Sequence, residues 1–303
     1  MNDSFFVALQ HLLPQHLLSR IVGLLGNCRW HPIKSRFIRW FAKRYQVDMN
    51  DAACCELAHF ASFNDFFTRA LKPGARPIVD APGSIACPAD GAISQLGDIC
   101  ADRLLQAKGR DFSLRALLGG DEVLAEQFQE GKFCTVYLSP KDYHRVHMPL
   151  AGTLTRMIHV PGKLFSVNQA TANGVDGLFA RNERVVCVFD TDTGPMALIL
   201  VGAMIVASVE SVWAGQVCPG KTSRIDVHYT DHVPAIQIGK GEEMGRFKLG
   251  STVIVLFGPG MAAWDTELEA GCAVRMGQGI GTLCTGESAG TSSADETSCT
   301  VEA

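Results

Sequence analysis

Apolar residues recur at helical spacing through the first seventy positions of the chain. They fall at Phe5, Leu9, Leu12 and Leu13, then at Leu17, Ile21, Leu24 and Leu25, and again at Ile33, Phe37, Trp40 and Phe41. Because spacings of three and four residues bring side chains to one face of a helix, the pattern predicts amphipathic helices within residues 4–71. Lys72-Pro73-Gly74 then breaks the pattern.

A different pattern occupies residues 78–283, where short runs of β-forming residues are separated by glycine and proline. We predict strands at 133–138, 152–160, 184–190, 197–209 and 251–257, and a helical insertion at 102–131. The stretch 147–162 resembles the hybrid barrels of biotinyl and lipoyl domains. The predicted fold class is α+β, with N-terminal amphipathic helices followed by a β-rich, hybrid-barrel-like core.

The net charge of −4 hides an uneven distribution of charge. No acidic residue lies between Asp3 and Asp48, and the same stretch carries Arg20, Arg29, Lys34, Arg36, Arg39, Lys43 and Arg44. A basic face with Trp30 and Trp40 suits an anionic membrane surface, although amphipathic helices also pack on their own domain. Nucleic acid would fit the charge, but the sequence has no recognisable nucleic-acid-binding module.

The cysteines and the apolar runs limit the cellular compartments that fit this sequence. Eleven cysteines are scattered without a C-x-x-C spacing, which argues against disulfides and zinc and favours buried free thiols in a reducing compartment. The strongest apolar run, 196–207, has twelve residues and is too short to span a bilayer. The first residues lack the basic start of a signal peptide, so none is expected.

The bond between Gly250 and Ser251 joins a charged approach to a run of β-forming residues. A serine hydroxyl can attack the preceding carbonyl to form an ester, and elimination then leaves two chains, the second capped by a pyruvoyl group. Such a ketone is an electron sink of the kind that a cofactor otherwise supplies. A plain turn into a buried strand is the alternative, and these residues alone favour it.

Serine is a weak nucleophile that needs a base, and a histidine oriented by a carboxylate is the usual solution. Asp90, His147 and Ser251 are the candidates, although Asp90 also fits a turn before glycine and His147 a structural histidine before Met148-Pro149. His144 lies three residues before His147, a spacing found in metal sites. No third ligand cluster is visible, so no metal is predicted.

Several segments, in order, resemble phosphatidylserine decarboxylases of the bacterial, membrane-associated, pyruvoyl-dependent type. They are Cys87-Pro88-Ala89-Asp90-Gly91, Tyr143-His144-Arg145-Val146-His147-Met148-Pro149, the stretch 160–168, the stretch 179–184 and Leu249-Gly250-Ser251-Thr252. The resemblance covers residues 60–283. It is weaker in the first fifty residues and absent from the tail.

The resemblance implies a role for each site residue. Asp90, His147 and Ser251 match the self-processing triad of the family, with cleavage between Gly250 and Ser251. The products would be a large chain, 1–250, paired with a small chain, 251–303, whose pyruvoyl group forms a Schiff base with phosphatidylserine and releases carbon dioxide and phosphatidylethanolamine. His144 matches the histidine of the decarboxylation step.

The periodicity, charge and composition of the chain, together with the resemblance, predict a domain plan and partners. Residues 1–72 would be a helical membrane-association region, 73–284 the catalytic core and 285–303 a disordered acidic tail. We expect peripheral attachment to anionic lipids on the cytoplasmic face of the cell membrane, and the sequence leaves a homo-oligomer open. The apolar residues at 164–167 and 178–179 fit either a lipid-entry surface or core packing.

Two other classes of protein compete with the decarboxylase hypothesis. A serine hydrolase could use Asp90, His147 and Ser251 without self-cleavage, although Ser251 does not lie in a G-x-S-x-G elbow. A carrier module with a hybrid-barrel fold would need a modifiable lysine between methionines in a hairpin, and the sequence has none.

Overall fold

The computed structural model of the chain describes residues 7–8, 10, 13–107, 109–204, 208–218, 223–248 and 251–284. Of Ser251 it describes the backbone only. The first predicted helical positions (Phe5, Leu9 and Leu12), Gly250 of the predicted cleavage site and the predicted tail, 285–303, lie outside these residues.

Within residues 13–72 of the described structure, three helices precede the β-rich core, as the sequence pattern predicts. The helices are α1 (Gln15–Gly26), α2 (His31–Tyr45), α3 (Phe63–Phe67), α4 (Leu114–Leu117), α5 (Glu122–Glu126), α6 (Gln169–Gly174) and α7 (Leu178–Arg181). Proline in the first turn of α2 costs no hydrogen bond, and Lys43 and Arg44 in its last turn complement the helix dipole. The Ser62 hydroxyl caps α3 by accepting from the Asp65 amide at 3.2 Å.

A cluster of aromatic side chains joins α2 to α3. Ile38 and Phe41 of α2 are buried against Phe63, Phe66 and Phe67. The predicted apolar stripe of α2 is therefore divided. Ile33 and Trp40, at two of its positions, are 40% and 55% exposed and do not belong to this buried cluster.

The strands form four sheets in which every described pairing is antiparallel. In chain order they are β1 (Ser84–Ala86), β2 (Gly91–Asp98), β3 (Arg103–Ala107), β4 (Arg110–Ser113), β5 (Lys132–Leu138), β6 (Arg145–His147), β7 (Gly152–Val160), β8 (Arg184–Thr191), β9 (Gly194–Val201), β10 (Ser208–Ser211), β11 (Gly215–Cys218), β12 (Ile225–His228), β13 (Gln237–Ile238), β14 (Glu243–Lys248), β15 (Ser251–Phe257), β16 (Ala262–Trp264), β17 (Ala273–Val274) and β18 (Gly279–Leu283). The largest sheet has the order β12-β7-β8-β9-β15-β5-β2-β17, with β13 also paired to β7.

Strand β15 lies in the middle of the largest sheet, hydrogen-bonded to β5 on one side and β9 on the other. Its side chains alternate between two apolar cores. Val253, Val255 and Phe257 enter one core, whereas Ile254 and Leu256 enter the other. Burial on both faces explains why the strand reads as an unbroken apolar run.

The α+β prediction is confirmed, and three details need correction. The predicted strand at 197–209 is divided between β9, which ends at Val201, and β10, which begins at Ser208 in another sheet. Residues 102–131 do not form a helical insertion, because a β3–β4 hairpin comes first and only the short α4 and α5 follow. Among the described strands, none of the sheets closes into a barrel. The predicted boundaries of 152–160 and 251–257 match β7 and β15.

Gly91 begins β2 directly after Asp90, and a Cβ there would lie 2.2 Å from the carbonyl oxygen of Tyr137. We expect Gly91→Ala to destabilise the protein by at least about 1–3 kcal/mol, since backbone of the paired strand must move. Thermal unfolding measures this. Gly279→Ala is the matched control, because its Cβ would meet only ordinary contacts of 3.5 Å or more. Equal melting temperatures for the two variants would contradict the prediction.

Candidate active site

The end of β14 and the start of β15 both lie beside one crossover between sheets. This crossover, residues 139–144, leads from β5 to β6. Ser251 is paired with Leu138 at the start of this crossover, and the Phe247 amide donates to the His144 carbonyl at 3.0 Å near its end. The fold thus brings both predicted histidines near the strand break that precedes Ser251.

The crossover is held by its own polar groups. Both the amide and the hydroxyl of Ser139 donate to the carboxylate of Asp142 at 2.7 Å. The Nε2 atom of His144 lies 3.0 Å from the Ser139 carbonyl. The ring of Phe67, from the last turn of α3, stacks on the His144 ring with centroids 3.9 Å apart. The N-terminal helical region therefore forms one wall of the site.

His144 is fully buried and electrically neutral at physiological pH. Burial, reinforced by the nearby charge of Arg69, lowers its pKa to about 3. Because Nε2 faces a carbonyl, it carries the proton, and Nδ1 carries the lone pair. That Nδ1 atom has no hydrogen-bond partner among the described residues. His144 therefore offers an unused proton acceptor.

His147 is also buried, but both of its nitrogens have partners. Nδ1 lies 2.8 Å from the Gly241 carbonyl and so carries the proton, while Nε2 lies 3.0 Å from the hydroxyl of Tyr143. Burial lowers the pKa of His147 and raises that of Tyr143 to about 12. Tyr143 therefore keeps its proton and donates it to the basic nitrogen of His147.

Asp90 lies near His147, but the two side chains do not share a hydrogen bond. The His147 amide donates to the Pro88 carbonyl at 2.8 Å, which fixes the neighbouring backbone. The Asp90 carboxylate instead accepts from the guanidinium of Arg76, with Nε at 2.8 Å, and from the Met276 amide at 2.9 Å. In the described structure the Gly241 carbonyl, not Asp90, orients His147.

Arg76 links Asp90 to the N-terminal region by hydrogen bonds to both. Its Nη1 atom donates to Asp51 at 2.8 Å, and the hydrogen bonds that it donates to Asp90 are the first cause of its raised pKa. Arg145 makes a second connection, donating to the Thr68 carbonyl at 2.9 Å and to Glu243 at 2.8 Å. Residues 51–69 and the β core are therefore joined by charge-assisted hydrogen bonds.

Sequence reasoning missed three residues of this site. Tyr143 stood inside the motif 143–149, and its position beside two histidines was a usable signal. Arg69 lies near the end of the predicted helical region, 4–71, but nothing in the neighbouring sequence placed it beside His144. Arg76 follows the Lys72-Pro73-Gly74 break as an isolated charge, so only the tertiary fold reveals its contact with Asp90.

The apolar residues at 164–167 and 178–179 form core, not an open lipid-entry surface. Leu164, Phe165, Leu178 and Phe179 are at most 4% exposed. Two glutamines fix the backbone of this segment. The side-chain oxygen of Gln15 accepts from the Leu164 amide, and the side-chain oxygen of Gln10 accepts from the Ser166 amide, both at 2.7 Å. Of the two predictions for this segment, core packing is therefore the one that the structure supports.

One group of described residues elsewhere has the spacing of metal ligands. His159, Glu183 and Cys218 are buried, with their ligand atoms within 4.8 Å of one another. The Nε2 atom of His159 already lies 2.8 Å from the Glu183 carboxylate, and Cys218 shares a hydrogen bond with the same carboxylate. Hydrogen bonding within the trio accounts for this arrangement.

Comparison with known proteins shows which family the chain resembles over most of its length. A model of the phosphatidylserine decarboxylase family matches residues 63–282, and a second model, described as PSD, matches residues 5–46. The chain is 60% identical over 282 residues to the phosphatidylserine decarboxylase proenzyme of Pseudomonas fluorescens, covering 93% of this chain and 98% of the relative. The proenzyme of Ectopseudomonas mendocina is also 60% identical over 282 residues, with 99% of that protein covered.

These matches define an enzyme family whose curated members are proenzymes. The chain belongs to the phosphatidylserine decarboxylase family. The family resemblance predicted from the motifs is confirmed, and the serine hydrolase alternative gains no support.

The buried, neutral state of His144 makes folding stability depend on pH. Its folded pKa of about 3 lies below the unfolded value of about 6.5, so the unfolded chain binds the extra proton as pH falls. We expect this residue alone to lower the free energy of unfolding by about 2 kcal/mol between pH 7 and pH 5. Urea unfolding of Ser251→Ala and of Ser251→Ala/His144→Gln measures it in uncleaved chains. The same pH dependence in both proteins would contradict the prediction.

Proposed function

We propose that this chain is the proenzyme of a phosphatidylserine decarboxylase that cleaves itself between Gly250 and Ser251. The mature enzyme would consist of a large chain, 1–250, and a small chain, 251–303, that begins with a pyruvoyl group. It would convert phosphatidylserine into phosphatidylethanolamine and carbon dioxide. The observation that carries the proposal is the pairing of Ser251 with Leu138, directly before the crossover that ends at His144 and leads into the strand of His147, in a chain belonging to this family.

Cleavage would begin when the Ser251 hydroxyl attacks the Gly250 carbonyl and the peptide bond is exchanged for an ester. Removal of the Ser251 α-proton expels the large chain as a carboxylate. Hydration of the remaining residue and loss of ammonia leave the ketone. We assign His147 as the base. Because Tyr143 occupies its Nε2 atom, the tyrosine hydroxyl must either move aside or relay the proton.

Asp90 would act on His147 through space and through the backbone. Its carboxylate is buried, anchored by Arg76 and close enough to raise the pKa of His147 slightly against the larger effect of burial. A fixed negative charge stabilises an imidazolium that forms during proton transfer. This role requires proximity but no direct hydrogen bond.

The residues around Ser251 fit a pyruvoyl group and an anionic substrate. A bound pyruvoyl ketone supplies the electron sink that accepts the electrons of the departing carboxylate. His144 offers an unpartnered Nδ1 atom, and its own pKa rises when an anion offsets the burial and the charge of Arg69 that depress it. We therefore assign His144 to proton handling at the substrate carbon, in a site that Phe67 shields from water.

The N-terminal helices would hold the enzyme on an anionic membrane face. Seven of the eleven large apolar side chains that are exposed in the described residues lie between positions 17 and 40. They are Leu17, Ile21, Leu24, Leu25, Trp30, Ile33 and Trp40. No helix within the described residues is long and apolar enough to cross a bilayer. We propose that residues 1–72 form the membrane-association region and 73–284 the catalytic core.

The charge on this surface is smaller than the sequence implies. The ammonium group of Lys34 donates to the carbonyls of Phe60 and Ala58, so it stabilises the fold instead of facing lipid. Arg36 and Lys43 remain exposed on α2. Each such residue near an anionic surface contributes about 1 kcal/mol, and the apolar side chains add attachment that salt does not screen.

Self-cleavage can be tested by mass spectrometry of the purified protein. Wild type should yield chains 1–250 and 251–303, the latter resistant to Edman degradation, whereas Ser251→Ala should stay intact and inactive. His147→Ala and Asp90→Asn should also stay largely intact. His144→Ala should cleave but lose decarboxylation by about 100-fold or more, as expected for a general acid or base. A free serine amine on the small chain, or normal turnover by His144→Ala, would contradict these assignments.

Membrane attachment can be tested with vesicles containing an anionic lipid. Leu24→Ser/Trp30→Ser should weaken vesicle binding at every salt concentration, whereas Arg36→Glu/Lys43→Glu should weaken it mainly at low salt. Val123→Ser is the matched control, because Val123 is 71% exposed on α5 of the core. All variants should self-cleave like wild type. Wild-type binding by both double variants would show that another surface contacts lipid.

A further inference from the structure

Arg69 is a buried arginine with unused donors. It follows the end of α3 and is only 5% exposed. Its Nη2 atom donates to the backbone carbonyls of Lys141 at 3.1 Å and Asp142 at 3.3 Å. The Nε and Nη1 atoms have no hydrogen-bond partner among the described residues, and the ring of Phe66 lies against the guanidinium.

The other buried or half-buried arginines near the core use all three nitrogens or form ion pairs. Arg184 directs Nε, Nη1 and Nη2 to backbone carbonyls. Arg76 binds two carboxylates, and Arg145 binds Glu243. A guanidinium stays charged, and leaving its donors unpaired away from water is costly. The open Nε and Nη1 donors of Arg69 therefore call for a hydrogen-bonding anion that the described residues do not supply.

The surroundings of Arg69 place that anion at the active site. Its Nη2 atom hydrogen-bonds the crossover 139–144. That crossover begins directly after Leu138, which is paired with Ser251 of β15. Its charge is close enough to lower the pKa of His144. The Asp142 carboxylate accepts from Ser139, and Asp142 hydrogen-bonds Arg69 only through its backbone carbonyl. The charges of Asp90 and Asp142 act on Arg69, but neither carboxylate hydrogen-bonds its Nε or Nη1 atom.

We propose that Arg69 is the subsite for the phosphodiester of the lipid headgroup. This assignment rests on the proposed decarboxylase function. The headgroup carries two anions, a phosphodiester and a carboxylate. The carboxylate must leave as carbon dioxide, and a guanidinium bound to it would stabilise the ground state more than the transition state. The phosphodiester persists from substrate to product, so an arginine there adds binding without opposing the chemistry.

The test compares Arg69→Gln and Arg69→Lys with wild type in mixed micelles of detergent and phosphatidylserine. Self-cleavage should remain normal by mass spectrometry. For Arg69→Gln we expect KM to rise about tenfold or more with kcat changed less than about twofold. Arg69→Lys should recover part of the loss. Arg103→Gln, which removes a 58% exposed arginine side chain of β3, is the control and should change neither parameter.

Product inhibition separates the two anions of the headgroup. Phosphatidylethanolamine keeps the phosphodiester but lacks the carboxylate, so its inhibition constant should rise in parallel with KM. A raised KM with an unchanged inhibition constant would assign Arg69 to the carboxylate and overturn the proposal. Loss of self-cleavage in both variants would assign Arg69 to the cleavage step instead. Absence of phosphatidylserine turnover by wild type would count against the proposed function itself.

A measurement on the wild-type enzyme covers the case in which neither variant folds. Titration with glycerophosphoethanolamine, followed by the Nε–H resonance of Arg69, should shift that resonance at concentrations that inhibit turnover. Ethanolamine, which lacks the phosphate, is the control and should leave it in place. An unmoved resonance at saturating glycerophosphoethanolamine would overturn the subsite.

Discussion

The burial of β15 between β5 and β9 is the constraint on which the rest of the structure depends. This strand fills the centre of the largest sheet and contributes side chains to both apolar cores, so its register cannot shift without exposing one face. Ser251 begins the strand. The strand thereby fixes the backbone position of the reactive residue relative to the β5–β6 crossover, and the histidines are placed with it.

Two histidines only three residues apart are both buried, but their rings have different hydrogen-bond partners. Both imidazoles are neutral because water is excluded from them. His147 has both nitrogens occupied and is held in one tautomer by the Gly241 carbonyl, while His144 keeps one nitrogen free. Under the proposed assignments, one stretch of chain serves a cleavage step and a later proton transfer, because the local partners and not the residue type distinguish the two rings.

The sequence allowed the periodic parts of the fold to be predicted and left the long-range contacts undetermined. Alternation and apolar runs gave β7 and β15 with their observed boundaries, because those strands are long and buried in a way that constrains each position. The helical prediction for 102–131 was wrong, because β3 and β4 form a short hairpin in the first part of that stretch. In the site, the family motifs predicted His144, His147 and Ser251, and the fold brings the His144 carbonyl to β14 and Leu138, just before the crossover, to Ser251. Contacts such as Phe67 on His144 and Arg76 on Asp90 join distant positions, which local patterns cannot report.

The central place of β15 also bears on the lifetime of the processed enzyme. In the intact chain this strand can leave the sheet and return, because the link to β14 keeps it at high effective concentration. Once that link is cut, the strand belongs to a separate polypeptide, and re-forming the sheet becomes a bimolecular event. Seven residues paired with β5, six of them also with β9, make spontaneous loss slow, yet any complete unfolding would separate the two chains by dilution. Maturation therefore exchanges reversible folding for kinetic persistence.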